Sequence, residues 1–329
     1  MSTELGARRP IILGIMGDSG SGKATLASGV VALLGADRVT DLCLDDYHKY
    51  DRAERSRRAI TAIHPVCNDL ELMQQHLALL RRGETVYKPI YDHRTGTFGE
   101  PEFLIPREFV ITHGLLGFHT DALRSCYDLG VFLDPDAELR VAWKLQRDTS
   151  RRGYTPEDVR RQLEHRRADA ERFIRPQRDR ADVVISFFPH PGARDVHDGA
   201  HLSVRITLRR AFAGVDLAAI CGRRRGARPS DAHSASHVVL EESRARENEC
   251  VLEINGQIPD ALTADIASKL WRALSRSERE RFDSIGTFVE GDVVRRSNSL
   301  ALTQLLITVL LLHSSAESRE QAPAPSLTL

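Results

Sequence analysis

The residues best placed to do chemistry lie in one short run, Gly17-Asp18-Ser19-Gly20-Ser21-Gly22-Lys23. The spacing G-x-x-x-x-G-K is that of a loop whose backbone N–H groups wrap phosphate oxygens at the start of a helix, with the lysine reaching the outer phosphates. Seven such residues arise by chance often enough to need support from their surroundings. Here the apolar run Ile11 to Met16 precedes them and Lys23 to Leu34 follows, with Leu26, Val30, Leu33 and Leu34 on one helical face. Gly17, Asp18, Ser19, Gly20, Ser21, Gly22, Lys23 and Thr25 are therefore the candidate nucleotide-binding residues. The position after the lysine should carry a hydroxyl to hold Mg²⁺, and it is Ala24. Thr25 does not replace it, because one helical step turns a side chain by about 100°.

Two further segments end in groups of the same kind. Val39 to Leu44 reads as a strand running into Asp45-Asp46, and Phe109 to Ile111 as one leading to His113-Gly114. In an open α/β sheet, ligands sit at the carboxyl ends of the strands, so Gly17, Asp45 and His113 point at one cleft.

The elements that must position them alternate in type. After the first two strands comes an amphipathic helix, Asn68 to Arg82, for which Asn68 and Glu71 have capping-box spacing and Gly83 is the stop. Asp128 to Leu133 and Val183 to Phe187 read as strands, and Leu139 to Arg152 and Pro156 to Phe173 as helices. This pattern predicts an α/β fold of the P-loop NTPase type, a mainly parallel sheet flanked by helices. Beyond it lie alternating strands from Leu202, 238–240 and 251–254, a helix over 262–274 and an apolar helix over 300–312. The expected organisation is a kinase-type domain over 8–190, a smaller α+β extension over 191–313, and a polar, disordered tail over 314–329. Residues 222–236, rich in Gly, Arg, Ser and Ala, read as an exposed loop.

Composition excludes several classes. The chain has 329 residues and is 41% hydrophobic, enough for a real core. Lys plus Arg and Asp plus Glu both number 46, which argues against a general nucleic-acid binder. The 5 cysteines are odd in number and lack C-x-x-C pairing, which fits a reducing compartment. The start is polar and 300–312 is shorter than the roughly 20 residues that span a bilayer, so no membrane association and a cytoplasmic location are expected.

Taken in order, further segments resemble the phosphoribulokinases, most closely the plant, cyanobacterial and similar bacterial forms. They are Leu44-Asp45-Asp46-Tyr47-His48 with Asp51-Arg52; Thr61 to Pro65 with Asn68-Asp69; Lys88 to His93 with Thr95-Gly96; Trp143 to Asp148 with Arg152-Gly153-Tyr154; and Asp292 to Gln304. The resemblance implies transfer of the ATP γ-phosphoryl group to the 1-hydroxyl of D-ribulose 5-phosphate, the carbon-fixation reaction of the Calvin cycle, with ATP and Mg²⁺ as cofactors and a homodimer or higher homo-oligomer as the assembly. It implies Asp45 as catalytic base and His48, Arg52, Tyr91, His93 and Arg152 as sugar-phosphate contacts. Lys144 and Arg147, three apart on one helix face, are candidates to stabilise charge on the transferring group. Arg160, Arg161, Arg166, Arg167, Arg172 and Arg175 read as a solvated face paired with Glu164, Asp169 and Glu171.

Two positions depart from the family pattern. Ala24 is one, and His113 is the other, where the resemblance implies a metal-assisting glutamate. Mg²⁺ prefers oxygen ligands, so both protein groups expected to order it have changed. Three readings stay open: a working phosphoribulokinase, an impaired homologue that binds nucleotide or sugar phosphate and acts by association, and a nucleoside-type kinase on the same fold. A transition-metal site on His113 and His119 lacks a Cys or acidic partner at ligand spacing. Cys43 resembles one regulatory cysteine of the plant-type enzymes. Its partner position holds Ser21, so Cys43 reads as a small strand-end residue.

Overall fold

A computed structural model describes residues 9–190, 199–212, 215–221, 237–242, 249–273 and 284–320. The Arg-rich loop at 222–236 lies outside the described residues.

The first strand, β1 (Ile11–Gly17), is buried at every position. That is the pattern of a strand covered on both faces. It pairs in parallel with β5 (Phe109–Gly114) and β6 (Leu129–Leu133). β2 (Val39–Cys43) pairs with β5, and β7 (Val183–Pro189) with β6, also in parallel. The sheet then continues antiparallel through β8 (Leu202–Leu208), β10 (Cys250–Ile254) and β9 (Val238–Glu242), in the order β2-β5-β1-β6-β7-β8-β10-β9. One continuous sheet thus crosses both halves of the chain.

Alternate residues of β1 serve two cores. Ile11, Leu13 and Ile15 lie on the side of α1 (Lys23–Leu34) and α9 (Asn298–Glu320), in a core that α8 (Asp260–Leu270) also joins. Ile12 and Met16 face α3 (Leu70–Arg81), with Phe118 and Tyr127. The apolar helix expected over 300–312 is buried along Leu300–Leu311 and lies against α1. It runs on to Glu320, and residues 321–329 of the expected tail lie outside the described residues. No helix among the described residues is long and apolar enough to cross a membrane.

Two hairpins escape the reading from sequence. β3 (Val86–Asp92) and β4 (Thr97–Leu104) pair antiparallel, with a register shift around Pro89, which has no N–H to give. Almost all of β4 is exposed, so it carries no apolar alternation to read. The other pair is β11 (Thr287–Glu290) and β12 (Val293–Arg296). The cap of α3 also differs from expectation: Asp69, not Asn68, accepts from the Leu72 N–H at 3.2 Å. Asn68 is committed elsewhere, as described below.

Candidate functional site

The glycine run leaves β1 and enters α1 as a cradle. Gly17 has φ +152° and Gly20 has φ +84°, values that suit glycine. A Cβ at Gly17 would stand 2.5 Å from the Leu133 carbonyl oxygen, and one at Gly20 would stand 2.8 Å from Lys144 Cβ. Lys23 Nζ donates to the carbonyls of Gly17 and Asp18 at 2.8 and 2.9 Å. Burial pulls its pKa down to about 8, against the raising effect of the Asp45 and Asp18 carboxylates. Ser21 Oγ is buried with no hydrogen-bond partner. An orphaned hydroxyl, a partly desolvated ammonium and a cradle that any Cβ would fill together fit a phosphate group.

Two helices close over this loop. In α5 (Ala137–Arg151), Arg147 Nη2 donates to Ser19 Oγ at 3.0 Å and Arg140 pairs with Asp18 at 2.9 Å. Asp18 also accepts from the Ser19 N–H at 2.6 Å, so it shapes the loop. Asp148 gathers three cations: Lys144, Arg147 at 2.8 Å and Arg152 at 3.4 Å. Burial would push its carboxyl up, but Arg147 and Lys144 outweigh it and hold it below the usual carboxylate range. The Lys144 side chain is only 2% exposed and its ammonium is engaged with Asp148, so a contact from it to a phosphoryl group requires that pair to open.

α6 (Pro156–Asp169) corrects one expectation. Arg160, Arg161 and Arg167 pair within the helix, with Glu157, Asp158 and Glu164, and Arg175 pairs with Glu171. Arg172 lies over the Phe173 ring at 5.2 Å. Asp169 instead accepts from Thr61 Oγ1 at 2.5 Å. Arg166 does not join that surface. Burial lowers its pKa, Asp18, Asp45 and Asp148 act against that, and Arg55 acts with it. A guanidinium stays charged in proteins. Arg166 is thus a partly desolvated cation on the cleft side of α6, within the field of Asp18, Asp45 and Asp148. Its spacing of seven from Val159, which is fully buried, was the available signal that it lies on the inward face.

The other wall of the cleft comes from the turn after β2 and the β3–β4 hairpin. Asp45 lies in a 3₁₀ turn, Leu44–Tyr47, and its carboxylate is 3.9 Å from His93 Nε2. Asp46 is turned inward. It holds Lys88 Nζ at 2.7 Å and accepts from the Tyr91 N–H at 2.9 Å, clamping the hairpin to the turn. His48, Tyr91 and His93 form a ring cluster, with centroids 4.6 Å apart for His48–Tyr91 and 5.1 Å for Tyr91–His93. His48 Nδ1 meets Asn68 Oδ1 at 2.8 Å, while the Asn68 amide donates to the carbonyls of Ala62 and His64. Arg52 donates to the His93 carbonyl at 2.6 Å, and Arg55 to the Tyr91 hydroxyl at 2.6 Å. The structure therefore brings the expected residues Asp45, His48, Tyr91 and His93 together with Arg52, and adds Arg55 and Asn68 to them.

The expected metal positions do not fit Mg²⁺. Ala24 presents a methyl group on the exposed side of α1. His113 closes β5 beside Cys43 of β2, and its Nε2 is 3.4 Å from the Asp41 carboxylate. Neither offers an oxygen for a hard cation.

Next to the phosphate loop lies a cavity of about 200 Å³ lined by Ala142, Trp143, Gln146, Phe288, Val289 and Glu290. The Trp143 ring is 3.8 Å from where a Cβ on Gly22 would stand.

A family model described as the Phosphoribulokinase / Uridine kinase family matches residues 12–192. The chain belongs to that family. Among relatives, the phosphoribulokinase of Synechocystis sp. is 39% identical over 208 residues, covering 63% of this chain and 61% of that protein. The chloroplastic phosphoribulokinase of Arabidopsis thaliana is 34% identical over 220 residues, covering 62% and 56%. The uridine kinase of Deinococcus deserti is 34% identical over 192 residues, covering 57% and 91%. The chain thus spans less than two thirds of the length of these two phosphoribulokinases. The solved phosphoribulokinase from Rhodobacter spheroides superposes with a TM-score of 0.56 at 20% identity, covering 83% of this chain and 99% of that one. At that identity the likeness shows the fold, in which the phosphoribulokinase/uridine kinase family's mainly parallel sheet carries the cleft just described.

Proposed function

We propose that this chain is an ATP-dependent kinase whose acceptor is the 1-hydroxyl of D-ribulose 5-phosphate, as in the phosphoribulokinase branch of its family. The observation that carries this reading is Asp45 standing in one cleft with the phosphate cradle on one side and the His48–Tyr91–His93 cluster on the other. In this reading ATP phosphates take the loop from Gly17 to Lys23, and the adenine ring takes the adjoining cavity between Trp143 and Phe288, a reading supported by the nearness of Trp143 to Gly22. On the same reading Arg147, bonded to Ser19 of the loop, and Arg166, in the field of Asp18 and Asp45, offset charge on the transferring phosphoryl group. Asp45 accepts the proton of the attacking hydroxyl as the new O–P bond forms and ADP leaves. Arg52 and Arg152, with the histidines, serve the sugar phosphate.

The altered pair Ala24 and His113 favours a second reading, in which nucleotide and sugar phosphate still bind but turnover is impaired. ADP release by the purified chain, measured with Mg²⁺-ATP and with or without ribulose 5-phosphate, tests both. Sugar-dependent release on the order of 1–100 s⁻¹, absent in Asp45→Asn, supports the first reading. ATP binding without sugar-dependent release supports the second. Release driven by uridine and not by ribulose 5-phosphate overturns the choice of acceptor.

A further inference from the structure

The cleft also brings Cys43, which phosphoryl transfer leaves without a role, against two residues that it uses. Cys43 Sγ, a carboxylate oxygen of Asp45 and a ring nitrogen of His93 all lie within 4.8 Å of one another. Each of the three residues is half-buried. Cys43 ends β2, Asp45 lies two residues on, and His93 follows β3, so two separate elements converge on one point. Among the described residues no other group of His, Cys and carboxylate side chains closes as tightly.

We infer that Cys43, Asp45 and His93 form a binding site for a thiophilic divalent cation of the Zn²⁺ class. One sulfur, one imidazole nitrogen and one carboxylate oxygen suit such an ion and not Mg²⁺. Bonds of about 2.0–2.3 Å in a tetrahedron place ligand atoms about 3.3–3.8 Å apart. Asp45 and His93 are already at 3.9 Å. The other two pairs lie within 4.8 Å, so they close by at most about 1–1.5 Å to the tetrahedral spacing, within reach of small rotations of the Cys43 and His93 side chains. The His93 backbone stays fixed, because Arg52 holds the His93 carbonyl at 2.6 Å. Three protein ligands leave the fourth position to water, as in open zinc sites.

The electrostatics agree. Burial, then the carboxylates of Asp45, Asp46 and Asp41, push the Cys43 thiol up. Burial disfavours charge of either sign, but the carboxylate part of this effect favours a cation in place of the thiol proton. Burial pulls His93 down against the effect of Asp45, leaving a neutral ring with a free lone pair. Arg152 and Arg147 bear on His93 and oppose a second cation. Loss of the thiol proton limits the gain to one positive charge. An ion held here occupies the Asp45 carboxylate. It therefore excludes the sugar acceptor, a consequence that rests on the function proposed above.

The test uses Co²⁺ as the probe on the full, metal-free chain. One equivalent should bind with a near-ultraviolet thiolate-to-cobalt band, and Zn²⁺ should displace it. C43S should lose the band, and H93Q should weaken Co²⁺ binding by about tenfold or more, at least the loss seen when a ligand's own support is removed. Circular dichroism checks that both variants fold; H93Q decides the question if C43S does not. Absence of a thiolate band in the unaltered chain overturns the site. So does a band that survives C43S, which would place the ion on another cysteine, or Co²⁺ binding unchanged in H93Q. Cobalt binding does not depend on turnover, so failure of the kinase reading and failure of this site remain distinguishable.

Discussion

Gln304 of α9 donates from Nε2 to the Thr25 carbonyl in the first turn of α1, at 2.8 Å and across 279 residues of sequence. Its Oε1 accepts from the Gly286 N–H at 2.7 Å. α9 is thus bonded to the helix that follows the phosphate cradle. The space is tight: a Cβ at Gly29 would stand 2.0 Å from the Gln304 side chain. Glycine to alanine inside a helix ordinarily stabilises by roughly 0.5–1 kcal/mol. Here Gly29→Ala should destabilise instead, because the buried amide must move. Gln304→Ala should cost about 1–3 kcal/mol through the buried N–H left unpaired. Thermal melts of both variants check this; a more stable Gly29→Ala protein contradicts the packing.

Arg166 and Arg167 are neighbours in sequence with opposite surroundings. Arg167 pairs with Glu164 in solvent, whereas Arg166 lies among Asp18, Asp45 and Asp148. Arg166→Gln should weaken binding of ATP or ribulose 5-phosphate about tenfold or more, the loss of one charged hydrogen bond to phosphate of about 1.5–3 kcal/mol. Arg167→Gln should change it by less than about twofold, as for an exposed pair. Isothermal titration with each ligand separates the two, and equal effects would return Arg166 to the surface.

Ala24 and His113 stand at the two positions expected to order Mg²⁺. In the structure His113 is 3.4 Å from Asp41, so a glutamate there would meet a like charge unless a cation lies between them. The double variant Ala24→Ser, His113→Glu should therefore show a steeper dependence of rate on Mg²⁺ concentration. Its sugar-dependent rate should rise at least about tenfold, or about 1.4 kcal/mol of barrier. Steady-state assays across Mg²⁺ concentrations read this out; a double variant no faster than the parent rules the explanation out.

His48 is buried, and desolvation pulls its pKa down to about 4 from the ordinary 6.5. The folded state holds this ring neutral while the unfolded chain takes up a proton. Its contribution to stability is therefore complete above about pH 6.5 and falls away toward about pH 4. His76, His93 and His119 are shifted the same way by burial. The melting temperature should drop across that window, and His48→Gln should flatten part of the drop. An unchanged slope in the variant would mean that His48 is not the group being protonated.

Much of the framework was legible in the chain. A run of seven buried residues ending in glycine, then a helix with apolar residues at turn spacing, needs only local physics to be read as strand, cradle and helix. Strand ends marked Asp45 and His113 for the same reason. Side-chain commitments were not legible. Asn68 has the chemistry of a helix cap but spends it on His48, because a neighbouring aspartate takes the cap. Arg166 has the composition of a solvated helix face, yet its rotation about the helix axis turns it into the cleft. Cys43, Asp45 and His93 are separated by up to 50 residues, and no spacing rule links them. The sequence by itself determined the fold class, the phosphate loop and the family, since each depends on order and local periodicity. Tertiary structure alone decided which charges meet: burial and distance set the strength of an electrostatic contact, and both arise only when the hairpin, the turn after β2 and the two helices close on one another.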